Sequence, residues 1–143
     1  MENYFNYTSD YLLDYFGINT LLNNYLKKKY DPETKKQIIV ESPQHLYMRV
    51  AIQVHKDDLE NVIKTYNLIS KHFFTFASPT YFNSGTRQNN LSSCFLLGTS
   101  DSVGGIFKTM SDVAHISKVG GGIGLHINNI RSKGSVIRGT NGV

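Results

Sequence analysis

LSSCFLLGTSDSVGGIFKTMSDVAHISKVGGGIGLHINNI, residues 91–130, decides the fold. An apolar run follows Cys94 and reads as a strand, LSSCFLL. Ile106, Met110, Val113, Ala114 and Ser117 then recur at helical spacing, and that helix stops at Gly120-Gly121-Gly122. IGLHINNI alternates apolar and polar residues and suits a second strand, while RSKGSVIRGTNG reads as loop-rich. Strand, helix and strand open an α/β layer. A parallel sheet needs several strands and cover on both faces, so the expectation is the beginning of a larger α/β domain.

Working outward, ASPTYFNSGT (residues 77–86) gathers Pro79, Asn83, Ser84 and Gly85 and predicts an irregular loop feeding the first strand. Up to about residue 76 the period is helical. Ser42-Pro43 is a helix start, a capping hydroxyl followed by a ring that needs no donor, and Leu46, Val50 and Val54 recur every four residues. A second helix follows the acidic pair Asp57-Asp58, with Leu59, Val62, Ile63, Tyr66, Ile69 and Phe73 as its apolar stripe. Shorter helices are expected in YLLDYFG and INTLLNNYLKK, separated at Gly17. The predicted division is thus a helical region, 1–76, and an α/β region, 77–143.

The chain has 143 residues, 40% of them hydrophobic, enough for a core. No apolar stretch approaches the ~20 residues of a membrane span. The opening MENYFNYTSDYLLDYF lacks a basic start and a clean hydrophobic segment, so no secretory signal is visible. The expectation is a soluble, cytoplasmic protein. The net charge is +4, but the basic residues are scattered apart from Lys27-Lys28-Lys29 and Lys35-Lys36, which flank a solvated loop at Asp31-Pro32-Glu33. No specific nucleic-acid reader is indicated.

Cys94 is the only cysteine, which excludes an internal disulfide. Free cysteines often merely pack, and others are reactive thiols; the residues alone leave both open. The glycine run fits neither a dinucleotide fingerprint nor a P-loop. It serves either as a sharp helix-to-strand turn or as bare backbone whose N–H groups meet an anion. None of His45, His55, His72, His115 and His126 forms a metal-binding pair spacing, so no metal site is expected. Asp101-Ser102 either caps the following helix or holds a sugar hydroxyl and phosphates at a helix start, with Lys118, Arg131 and Arg138 as candidate counter-charges.

PQHLYMRVAIQVHKDD, ASPTYFNSGT, LSSCFLL, DSVGGIF, SKVGGGIG, IRSKGS and GTNG stand in this order. Together they resemble the large catalytic subunit of class I ribonucleotide reductase, from about Asp10 to the end of the chain. The GTNG segment is nearer the eukaryotic and viral form than the cobalamin-dependent class. The resemblance implies an amino-terminal helical region followed by the first strand-helix-strand elements of a ten-stranded α/β barrel, here incomplete. It implies that Cys94 is one of two thiols that reduce the ribose of a nucleoside diphosphate and become a disulfide in each turnover. Ser78, Ser93 and Gly122 match its substrate-binding positions. Asp101, Ser102 and Val103 match the deoxyribose side of an allosteric dNTP site, and Lys118, Arg131, Arg138 and Gly139 the surroundings of its phosphates and the adjoining loop.

The implied partners are a homodimeric copy through the helix matching 106–118, a small subunit that generates a radical at a metal centre, and thioredoxin or glutaredoxin as external reductant. No cofactor is expected on this chain itself; ATP and dNTPs are expected as effectors. The family's ATP-binding regulatory domain, radical-bearing cysteine and second reducing cysteine have no match in these residues. The chain alone is therefore expected to be inert, its remainder being supplied in cis or in trans. The competing expectation is a non-catalytic nucleotide-binding or interaction module in which Cys94 is a relic.

Overall fold

A 3-10 turn over Tyr7–Leu12 leads into α1 (Tyr15–Thr20) and a π-type turn over Leu21–Tyr25. The computed structural model describes residues 4–88, 90–137 and 139. Gly17 does not separate a pair of helices; it lies inside α1 and gives its amide to the capping carboxylate of Asp14 (2.6 Å). With the cap placed at Asp14, the helix begins before the glycine rather than ending at it.

The lysine-flanked segment forms an antiparallel hairpin, β1 (Lys28–Asp31) and β2 (Lys36–Ile39), around the expected turn. The Asp31 carboxylate accepts from the Glu33 amide and from the Thr34 hydroxyl (2.5 Å), which closes the turn and holds that carboxyl below its ordinary range.

Helix α2 (Pro43–His55) starts where its cap predicts, with Ser42 Oγ accepting from the His45 amide and His45 Nδ1 accepting from the Ser42 amide. Helix α3 (Leu59–Ser70) is capped by Asp58 and stops before Phe73, which is exposed rather than part of the stripe. Leu46, Val50 and Ala51 of α2 meet Val62, Tyr66 and Ile69 of α3, all at most 2% exposed. Burying each large side chain is worth about 1.5–3 kcal/mol, so this seam organises the first unit. A polar chain, buried at its Tyr66–Gln44 link, ties the amino-terminal turn to it: Asn6 N donates to Tyr66 OH, Tyr66 OH to Gln44 Oε1, and Gln44 Nε2 to Asp10 Oδ1, at 2.6–2.8 Å.

Burial pushes the Tyr47 phenol from 10.0 up to about 12, with Tyr81 and Asp10 adding to it, and Tyr66 is raised in the same direction. The folded chain keeps protons that the unfolded chain releases above pH 10. Stability is therefore full below about pH 10 and falls as pH rises towards 12. Denaturant titrations across that window check this, and Tyr47→Phe flattens the slope.

ASPTYFNSGT is not an irregular loop throughout, because Ser78–Asn83 forms α4. Pro79 sits in its first turn, where no amide donor is required, so the proline that signals a break here starts a helix.

The chain divides by contacts into Met1–Leu91 and Ser92–Val143. Sequence texture changes at residue 77, but α4 packs against α2 and so keeps the intervening residues in the first unit. The second unit holds β3 (Cys94–Gly98), α5 (Val103–Lys118) and β4 (Gly122–His126), as the spacing predicts. β3 and β4 are parallel, with Cys94 opposite Gly122 and Gly98 opposite His126. The two strands close no barrel. A Cβ at Gly98 would overlap the His126 ring, and one at Gly121 would meet Ile116 at 2.5 Å, so both glycines are sites of close approach.

Candidate functional site

Side chains alternate along β3. Phe95 and Leu97 are half-buried, Phe95 lying beside Gly121 and Ile116 at the end of α5, whereas Cys94 and Leu96 point to the other, open face. The thiol is exposed, and Ser93 Oγ donates to its sulfur at 3.4 Å. Parallel register sets Gly122 beside it, with the Gly122 amide bonded to the Ser93 carbonyl at 2.8 Å. Three of the four reactive-centre candidates, Ser93, Cys94 and Gly122, thus gather at the head of one strand pair. Ser78 belongs to the first unit, as the first residue of α4, and its hydroxyl pairs with Tyr25 OH at 2.8 Å.

The glycine run resolves as a turn. Gly120 N bonds Ser117 O, Gly121 N bonds Ile116 O, and Gly122 N bonds Ser93 O, so all three amides have partners within the chain. Gly120 adopts φ +78, which only glycine enters without strain, and closes the end of α5. Of the two readings left open for this run, the amide hydrogen bonds fit the turn. What Gly122 offers beside Cys94 is the space left by a missing side chain.

At the other end of α5, Ser102 is the cap, its Oγ accepting from Gly105 N at 3.1 Å. Asp101 does not cap: its carboxylate takes Arg131 Nε at 2.6 Å, and Arg131 also reaches the carbonyls of Asp101 and Val136. Asp101, Ser102, Val103 and Arg131 are therefore neighbours. Lys118 is the last residue of α5, and a helix of 16 residues spans about 24 Å, so one chain does not join Lys118 to Asp101. Gly139 adopts φ +80 in a turn, and Arg138 lies outside the described residues. Among the described residues no group of three or more His, Cys, Asp or Glu is placed to hold a metal, and no helix is long and apolar enough to cross a membrane.

Tyr25 carries no sequence signal of its place here: it stands 53 residues from Ser78, and no spacing rule links the two. The Asp101–Arg131 pair, 30 residues apart, likewise has no local signal beyond opposite charge.

A helical unit leading into a parallel strand-helix-strand unit with an exposed thiol defines the class of chain. Known families narrow it further. The model of the ribonucleotide reductase all-alpha domain matches residues 11–89, and that of the ribonucleotide reductase barrel domain matches residues 92–143. The chain belongs to the ribonucleotide reductase family. It is 51% identical over 137 residues to the ribonucleoside-diphosphate reductase large subunit of Arabidopsis thaliana, covering 95% of this chain and 16% of that protein. It is also 51% identical over 137 residues to ribonucleoside-diphosphate reductase large chain 2 of Saccharomyces cerevisiae, covering 95% of this chain and 15% of that one. The large subunit of Vaccinia virus is 50% identical over 138 residues, 96% of this chain and 17% of the relative. The chain therefore spans about a sixth of the length of these relatives.

Proposed function

We propose that this chain forms part of the large subunit of a cytoplasmic ribonucleoside-diphosphate reductase and contributes one of its two reducing thiols. The observation that carries this reading is Cys94 itself: exposed, on the open face of β3, with a hydroxyl donor on its sulfur and a glycine across the register. In the reaction two cysteine thiols give up two electrons and two protons. The ribose C2′–O bond breaks, its oxygen leaves as water, a C–H bond takes its place, and the thiols close to a disulfide. Cys94 supplies one sulfur; the other comes from outside these 143 residues, because they contain a single cysteine. Ser93 and Gly122 flank the reacting sulfur and Ser78 offers a hydroxyl, all assigned to the nucleoside diphosphate. The small subunit supplies the radical, and thioredoxin or glutaredoxin restores the dithiol.

The effector assignment requires a second copy. Asp101, Ser102 and Val103 with Arg131 form one half of a dNTP site, and Lys118, with Arg138 and Gly139, is assigned to its phosphates and loop. Two α5 helices packed antiparallel bring Asp101 of one chain towards the partner's Lys118, which a single chain keeps about 24 Å apart. Val103, Phe107 and Met110 leave α5 an exposed apolar strip suited to that packing.

The test is nucleoside diphosphate reduction. The pure 143-residue chain gives no turnover, and supplying the rest of the large subunit with a radical-generating subunit gives deoxynucleoside diphosphate. Turnover by the pure chain contradicts the reading, since one thiol cannot form an intramolecular disulfide.

A further inference from the structure

The hydroxyl of Ser78 is held by a second hydroxyl that no motif of the sequence marks. Tyr25 OH lies 2.8 Å from Ser78 Oγ. Its ring stacks on Phe82 at 4.7 Å with planes 18° apart and meets Tyr81 edge-on at 6.0 Å. The π-type turn over Leu21–Tyr25 fixes where the ring starts, and α4 carries both Ser78 and Phe82. Tyr25 and Ser78 both line a cleft of about 290 Å³, together with Thr75 and Tyr81.

We infer that Tyr25 is a positioning residue for the substrate: its phenol donates to Ser78 Oγ and thereby turns the serine's own proton outward, towards a phosphate oxygen of the nucleoside diphosphate. This rests on the proposed role of Ser78. A serine hydroxyl carries one proton and two lone pairs, so an unassisted serine on an exposed surface divides its donor among several rotamers. A phenol is the stronger donor of the two and sits on a ring clamped by two neighbours. Once the phenol occupies a lone pair of the serine, the serine proton is left for an acceptor in the cleft. An anionic phosphate oxygen is the acceptor that gains most from a donor already aimed at it, because charge-assisted hydrogen bonds are the strong ones.

The experiment is steady-state kinetics of the assembled reductase carrying Tyr25→Phe, Ser78→Ala and both. Tyr25→Phe keeps the ring and its stacking and removes only the phenol oxygen. It raises KM for the nucleoside diphosphate by about three- to tenfold, the worth of one neutral hydrogen bond, with kcat unchanged. Ser78→Ala raises KM by about tenfold or more, because it removes a bond to a charged group. In the double variant the tyrosine change adds nothing further, since there is no serine left to orient. If Ser78→Ala raises KM while Tyr25→Phe lowers only the melting temperature, the phenol is structural and the inference falls although the substrate role of Ser78 survives. If the two effects multiply, Tyr25 acts independently of Ser78 and the inference likewise falls. If Ser78→Ala leaves KM where it was, the role of Ser78 falls and the inference with it.

Discussion

Cys94→Ser abolishes nucleotide reduction by the assembled enzyme and leaves dNTP binding unchanged. The substitution is nearly isosteric at an exposed position on the open face of β3, so neither the packing of Phe95 and Leu97 towards α5 nor the parallel register with β4 is disturbed. What is lost is the sulfur, and with it any disulfide through which two electrons leave the protein. A serine oxygen has no equivalent oxidised form, so the fall in kcat is on the order of 10³-fold or more, as for removal of any reacting group. Of the residues assigned to the effector, Asp101 and Arg131 hold each other and Ser102 caps α5, contacts that Cys94 takes no part in, so dNTP affinity stays within about twofold, the scatter expected of a surface change. Parallel turnover and equilibrium binding measurements check both halves. Retained reduction makes Cys94 a relic and favours the nucleotide-binding module.

Arg49→Ala destabilises the first unit by about 3–5 kcal/mol, the usual loss when one partner of a buried ion pair is removed. Arg49 forms a two-pronged pair with Glu41, Nε to Oε1 at 2.7 Å and Nη2 to Oε2 at 3.1 Å, with side chains only 16% and 8% exposed. Its remaining nitrogen, Nη1, donates to the carbonyls of Tyr81 (3.0 Å) and Ser84 (2.6 Å) at the end of α4. Truncation takes the guanidinium from a carboxylate that still accepts from the Lys27 amide, and it leaves two carbonyls without that donor. The loss is large against a typical total of about 5–15 kcal/mol. Arg49→Lys loses a fraction of this, because an ammonium cannot reproduce the planar fork. Urea unfolding followed by helical circular dichroism measures it; a loss under about 1 kcal/mol would mean that the pair behaves as a surface contact. Since α4 begins at Ser78, the same clamp also fixes where that hydroxyl stands.

The elements legible in the sequence are those whose cause is local. Ser42-Pro43 states its own helix start, the Ile106-to-Ser117 spacing states α5, and the alternation in IGLHINNI states β4. The missed elements depend on contacts made from elsewhere. α4 exists because Pro79 falls in a first turn and Arg49 gathers the carbonyls at its far end, which no window of ten residues reveals. The hairpin strands are short and exposed, so they carry little apolar alternation, and only the Asp31 turn is visible from sequence. Gly17 misleads because glycine suits both a helix end and a first turn, and the capping carboxylate of Asp14 settles the matter. At the site, the motif residues could be named from resemblance, but their arrangement could not. Parallel pairing of β3 and β4 is what sets Gly122 beside Cys94, and the length of α5 is what separates Asp101 from Lys118.

The most direct measurement is a single turnover of the pre-reduced, assembled enzyme without external reductant, followed by alkylation of free thiols and mass spectrometry of the peptide holding Cys94. The account predicts one equivalent of deoxynucleoside diphosphate and Cys94 in a disulfide with a cysteine outside these 143 residues, in equal amount. Product formed while Cys94 remains fully alkylatable would contradict it.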